Sequence, residues 1–163
     1  MRYFLAVFLV VALITSCNNR QHFAEFKDLK GKWIKSDTVN FEFIQPDTTK
    51  LYNLFFNIRV KQTYPFSNLF LISKIEFPHG KVIQDTLEYR MAKPNGELLG
   101  VGATGLKESK LWYKKGVKFS EQGSYKISLR QAMRKRGNTN ALDTLKGVHD
   151  FGFIIEKTFD NDK

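Results

Sequence analysis

Leu51-Tyr52-Asn53-Leu54-Phe55-Phe56-Asn57-Ile58-Arg59-Val60 decides the fold. Tyr52, Leu54, Phe56, Ile58 and Val60 share one parity, while Asn53, Asn57 and Arg59 occupy the other together with Phe55. Successive side chains of a strand point to opposite faces, so this stretch reads as a strand with one buried face. Moving outward, the same alternation recurs. Tyr125, Ile127, Leu129 and Met133 oppose Ser124, Lys126, Ser128 and Arg130. Ile83, Leu87, Tyr89 and Met91 repeat it, with Asp85 as the one acidic member of that apolar parity. Val39, Phe41 and Phe43, and later Phe151, Phe153 and Ile155, do so over shorter spans.

Turn signals separate these runs. Pro78-His79-Gly80 joins Leu69–Phe77 to Lys81–Met91 as a hairpin, and Pro94-Asn95-Gly96 and Glu121-Gln122-Gly123 mark further turns. Gly100, Gly102 and Gly105 make a loose loop, and Gly137-Asn138 another. No long 3.6-residue period is present; short helical turns are expected only at Phe23–Leu29 and Asn140–Leu145. The spacing predicts an all-β protein of seven to nine strands, an antiparallel, jelly-roll-like β-sandwich. Its expected domain boundaries are a signal peptide over 1–16, a tether over 17–30 and the sandwich over 31–163.

The N-terminal end carries a different message. A basic start at Arg2, an apolar run from Phe4 to Ile14 and small residues before a break are the parts of an export signal. The run is too short to span a hydrocarbon core, which needs roughly 20 residues. It ends in Ile14-Thr15-Ser16-Cys17, which looks like a bacterial lipobox. There the cysteine thiol accepts a lipid, and cleavage leaves that cysteine as the new N-terminus. Two or three acyl chains, at about 0.8 kcal/mol per buried methylene, then hold a protein to a bilayer. The expectation is therefore a membrane partner through the Cys17 lipid, in the cell envelope. Asn18-Asn19-Arg20-Gln21 contains no acidic run of the kind that sends some lipoproteins to the cell exterior, which favours a periplasm-facing position.

Cys17 is the only cysteine, so no intrachain disulfide can form and stability must come from the core. The formal charge is +10, with lysines and arginines spread along the chain. Such a surface is drawn to anionic headgroups. Nucleic acid is not an expected partner of an exported protein.

The search for chemistry finds little. His22, His79 and His149 lack the spacing or the cysteine partners of a metal site, and structural roles suit them better. Gly100-Val101-Gly102-Ala103-Thr104-Gly105 matches a dinucleotide fingerprint in letters only, because no helix follows it. Glu76, Asp85 and Glu88 are the best carboxylates for a glycosidase, but Asp85 and Glu88 are three apart and face opposite ways on one strand. Asp85 reads instead as a buried hydrogen-bond partner for turn backbone. In the adjacent pair Trp112-Tyr113 one ring must face in and one out. Trp112, Arg130, Arg134 and Arg136 are the candidate partner surface, with a solvated strand end as the plainer reading of the arginines. No cofactor, metal or small-molecule substrate is expected.

Several segments in order resemble the gliding motility lipoprotein GldH family of the Bacteroidetes. They include Tyr52-Asn53-Leu54-Phe55-Phe56-Asn57-Ile58-Arg59, Tyr64-Pro65-Phe66-Ser67-Asn68-Leu69-Phe70-Leu71 and Asp85-Thr86-Leu87-Glu88-Tyr89-Arg90-Met91-Ala92. Lys110-Leu111-Trp112-Tyr113 and Gly152-Phe153-Ile154-Ile155-Glu156-Lys157 extend the likeness toward the C-terminus. The resemblance implies a non-catalytic envelope lipoprotein required for gliding, with other Gld proteins as partners. It carries over no catalytic or metal residue, only Cys17. Two further readings remain: a carbohydrate-binding sandwich, on its aromatics, and a sandwich glycosidase, on Glu76, Asp85 and Glu88.

Overall fold

In the computed structural model, which describes residues 21–102 and 105–158, the alternating runs form ten strands. They are β1 (Gln21–Asp28), β2 (Lys32–Ile34), β3 (Val39–Ile44), β4 (Tyr52–Lys61), β5 (Asn68–Glu76), β6 (Val82–Arg90), β7 (Leu106–Val117), β8 (Ser124–Gln131), β9 (Thr144–Lys146) and β10 (Val148–Lys157). Every pairing between them is antiparallel. One four-stranded sheet has the order β1-β10-β4-β7, the other β3-β8-β5-β6, and β2 pairs with β9. Leaving aside the short β2–β9 pair, the first, eighth, third and sixth strands make one sheet. The second, seventh, fourth and fifth make the other. This is the jelly-roll order, and it explains why nearly every connection crosses between sheets. The expected hairpin is the exception: β5 runs straight into β6, with Glu76 opposite Val82.

The inner faces carry the predicted residues. Val39, Phe41 and Phe43 of β3 face Tyr125, Ile127 and Leu129 of β8 along one ladder, and all six are buried. Phe56, Phe151 and Phe153 fill the opposite layer with ring centroids 5.4–5.9 Å apart. Sandwich layers pack about 10 Å apart, which aromatic rings fill from both sides.

Three expectations need correction. The segment read as a tether through Lys30 is strand from Gln21 onward: β1 pairs with β10 over Phe23 to Asp28. Polar residues on β1 misled because it is an edge strand, wet on one side. The helical turns expected at Phe23–Leu29 and Asn140–Leu145 are absent; β1 occupies the first, and an Arg134–Ala141 bridge followed by β9 the second. The strand count exceeds nine because β2 and β9 are three residues each, too short to show a period.

β4 is also more buried than its alternation implies. Asn53, Phe55 and Asn57 of the outward parity are buried alongside the inward set. As an interior strand of its sheet, β4 has neighbouring side chains closing over its outer face. Arg59 points outward as read, yet it is not idle. Its Nε donates to Asp150 Oδ1 at 2.9 Å, a second guanidinium nitrogen pairs with Oδ2, and His149 Nδ1 lies 2.9 Å from the same carboxylate. Asp150 is 3% exposed, so it depends on these partners.

Asp85 faces inward, as its parity required, but its partners are side chains rather than turn backbone. Tyr113 donates its hydroxyl to Asp85 Oδ2 at 2.9 Å, Ser73 donates to the Tyr113 oxygen at 3.0 Å, and Lys114 Nζ lies 2.8 Å from Oδ2. The chain of contacts ties β5 and β6 of one sheet to β7 of the other. Burial opposes ionisation of Asp85, but the Lys114 and Tyr113 hydrogen bonds outweigh it and hold the carboxyl below its ordinary 3.8.

Gly100 is explained by backbone contact. Val101 N donates to Glu108 O at 2.9 Å and Glu108 N returns the bond at 2.8 Å. A Cβ on Gly100, at φ +96°, would sit 2.3 Å from the Glu108 carbonyl oxygen. Glycine is needed there because the loop lies on the start of β7.

Two predictions follow from this packing. Phe56→Ala should cost about 3–5 kcal/mol as a fully buried ring. Arg59→Ala should cost about 1.5–3 kcal/mol by stranding Asp150, and Lys126→Ala less than either; urea melts of the three variants check the order. Because a carboxyl with a lowered folded pKa stabilises only while ionised, the deficit of Asp85→Asn should be full at neutral pH. It should shrink as pH falls through and below 3.8, as read by melting both chains across that range.

Candidate functional site

The outer face of the β1-β10-β4-β7 sheet carries an aromatic band. Register aligns Ala24, Ile154, Phe55 and Trp112 in one row, and Phe26, Gly152, Asn57 and Lys110 in the next. Trp112 is 55% exposed and lies 4.3 Å, centroid to centroid, from Phe55 with the planes tilted by 49°. Lys110 Nζ stands 4.1 Å from the Phe55 centroid and 2.7 Å from Glu156, and Asn57 donates to Glu108 at 2.8 Å. The adjacent Tyr113 turns inward to the Asp85 cluster, so the expected division of the Trp112-Tyr113 pair holds. Gly152 has no side chain because the Phe26 ring lies over it: a Cβ would come within 2.5 Å of the ring edge.

The arginines lie elsewhere. Arg130 is on the outer face of β8, in the opposite sheet, and Arg134 follows in the segment bridged to Ala141. Arg136 lies beyond them in the turn where Asn138 N donates to Lys135 O. Trp112 and the arginines therefore occupy opposite faces of the sandwich, and one continuous patch does not contain them all. Arg130 and Arg134 do share a hollow, lined also by Lys35, Ile72, Ala132 and Ala141. Sequence reading missed Lys35 and Ile72, since a groove between a loop and two strands has no linear signature. It also missed Phe55 beneath Trp112, although Phe55 was visible as the one apolar residue on the polar parity of its strand.

The carboxylates do not converge. Glu76 ends β5 beside Lys74, whereas Glu88 sits opposite Phe70 and accepts from Asn68 at 2.9 Å. At about 3.4 Å per residue these positions lie roughly 20 Å apart along the sheet. Asp85 points the other way, into the sandwich. The histidines are likewise dispersed. The His22 ring lies 5.7 Å from Tyr52 with the planes tilted by 59°, and burial, reinforced by Lys157, lowers its pKa. His79 lies 3.4 Å from Glu121, and His149 belongs to the Asp150 cluster. Among the described residues no three metal-ligating side chains gather. Cys17 lies outside the described residues.

Comparison with known proteins agrees in one direction. A family model described as GldH lipoprotein matches residues 21–155, from the first strand into the last. The chain is 51% identical over 155 residues to a gliding motility lipoprotein GldH homolog of Christiangramia forsetii, covering 95% of this chain and 94% of that one. It is 46% identical over 149 residues to the gliding motility lipoprotein GldH of Flavobacterium johnsoniae, covering 91% and 92%. Likeness to solved structures is weak: an infectious bursal disease virus structure (Gx strain) aligns at TM-score 0.41 and 11% identity, over 86% of this chain and 33% of that one. A likeness at that level carries no argument. The chain belongs to the GldH lipoprotein family.

Proposed function

We propose that this chain is a lipid-anchored protein of the cell envelope that serves gliding motility by binding other proteins of the gliding machinery, without turnover of its own. The observation that carries the reading is the extent of the family match, which runs through the whole sandwich rather than around one cleft. Glu76, Asp85 and Glu88, the strongest candidates for hydrolysis, lie apart and face different ways.

The lipid on Cys17 holds the domain to the membrane after removal of residues 1–16. β1 starts at Gln21, so the four steps from Cys17 reach at most about 14 Å. The end of the sandwich at which β1 starts therefore rides close to the bilayer. That end exposes Ile44, Leu51 and Val82, apolar side chains suited to a membrane-facing position. The residues after Cys17 support a periplasm-facing domain. A second reading, a carbohydrate-binding module, is favoured by Trp112 alone; the tilt between Trp112 and Phe55 argues against a flat sugar platform.

Cys17→Ser should lose labelling by a palmitate analogue and leave the membrane fraction; continued labelling would exclude Cys17 as the lipid site. Glu76→Gln, Asp85→Asn and Glu88→Gln chains that remain folded should restore colony spreading to a gliding strain lacking the gene. A folded Glu76→Gln or Glu88→Gln chain that fails completely would instead indicate an enzyme.

A further inference from the structure

Both ends of the sandwich are cationic, and the longer connections lie at the end away from the anchor. Segments 29–38, 61–67, 91–102 and 132–147 gather at the end of the sandwich opposite the start of β1. There Leu29 bonds His149, Lys61 bonds Gly147 and Met91 bonds Ser67. They hold nine lysines and arginines against three carboxylates. The connections at the anchor end, 45–51, 77–81, 118–123 and 157–158, hold four against two. The larger number of loop cations therefore lies beyond the reach of the anchoring bilayer.

At the margin of this basic end the outer face of β5 and β8 is hollowed. One depression of about 130 Å³ is lined by Lys35, Arg130, Arg134, Ile72 and Ala132. A second, of about 390 Å³, adjoins it across Ile72, Ala132 and Arg134 and continues over Phe70. The floor is apolar and half-buried; Lys35, Arg130 and Arg134 rim the smaller hollow, Arg134 with the polar Asn68 and Thr86 rims the larger, and no carboxylate lines either. Among the described residues Lys35, Arg130 and Arg134 enter no ion pair, although seven other lysines and arginines do. Guanidinium groups bind carboxylates in two-point geometry, and an apolar floor between two of them suits a side chain with no charge.

The geometry points to this groove as the docking site for an acidic protein segment in which carboxylate and apolar side chains alternate. The inference deepens the partner-binding reading above and rests on it for the direction of the anchor. An anionic glycan is the less suited occupant: Phe70 is the one aromatic ring lining the groove, and it forms part of a floor rather than an exposed platform.

The test uses the full-length lipidated chain in detergent and a short fluorescent peptide of alternating glutamate and leucine, followed by anisotropy. The native chain should bind with strong salt dependence. Arg130→Ala/Arg134→Ala should weaken binding at least about tenfold, while Lys110→Ala on the other sheet should leave it unchanged. Both arginines are exposed and enter no ion pair among the described residues, so the double variant should melt with the native chain. In a gliding host Arg130→Glu/Arg134→Glu should reduce spreading while palmitate labelling at Cys17 persists. Absence of peptide binding, equal binding by the double variant, or equal loss in Lys110→Ala overturns the groove. Tighter capture of polygalacturonate or of anionic-lipid vesicles through the same arginines also overturns it, in favour of those ligands. Loss of lipid labelling in the native chain would overturn the anchor reading instead, and the two failures are read separately.

Discussion

Phe153 sits where the whole architecture meets. Its ring lies 5.9 Å from Phe41, 5.7 Å from Phe43, 5.9 Å from Phe56 and 6.0 Å from Phe23. Those partners belong to β3 in one sheet and to β4 and β1 in the other. With no intrachain disulfide available, nothing covalent holds the sheets face to face. Apolar area and ring-against-ring contact must do so, and a cluster spanning both layers makes them one cooperative unit. The order of the strands serves this cluster: β10 lies between β1 and β4, so the last strand of the chain closes the core that the earlier strands opened.

Around that core the polar groups are placed where burial leaves a gap. Asp150 joins Arg59 and His149 on the outer side of the same central strands, and Asp85 joins Tyr113 and Lys114 at the β6–β7 margin. The second cluster bridges the two sheets at an edge where apolar contact thins out. Tyr89 adds a bond from its hydroxyl to the Trp112 carbonyl at 2.8 Å. These contacts satisfy β7 from the side and, with the Val101–Glu108 bridge, leave less of its edge open to pairing with another chain.

A rigid sandwich of this kind presents surfaces rather than a deep cleft. Its two outer faces differ: one has a tryptophan tilted against a phenylalanine with a lysine nearby, the other an apolar floor edged by arginine. The two ends differ as well, in the length of their connections. The family's association with gliding motility is consistent with a protein that presents surfaces of this kind.

The alternation in 51–60 and 125–133 was enough to determine strands, their inward residues and an all-β class, because a period of two has one structural meaning when one face is buried. Cys17 and the apolar run before it form a lipobox-like signal in the linear sequence, and both lie outside the described residues. What alternation could not reveal was which strands are interior. Phe55 and Asn57 are buried by neighbours far away in the chain, and β1 looked like a tether because an edge strand has little to bury. The site depended on tertiary structure most of all. Trp112 and Arg134 read together as a candidate partner surface, yet the jelly-roll order puts them on opposite faces of the sandwich. Lys35, Ile72 and Arg130 are distant in the chain, and only the crossing of strands between layers brings them to one groove.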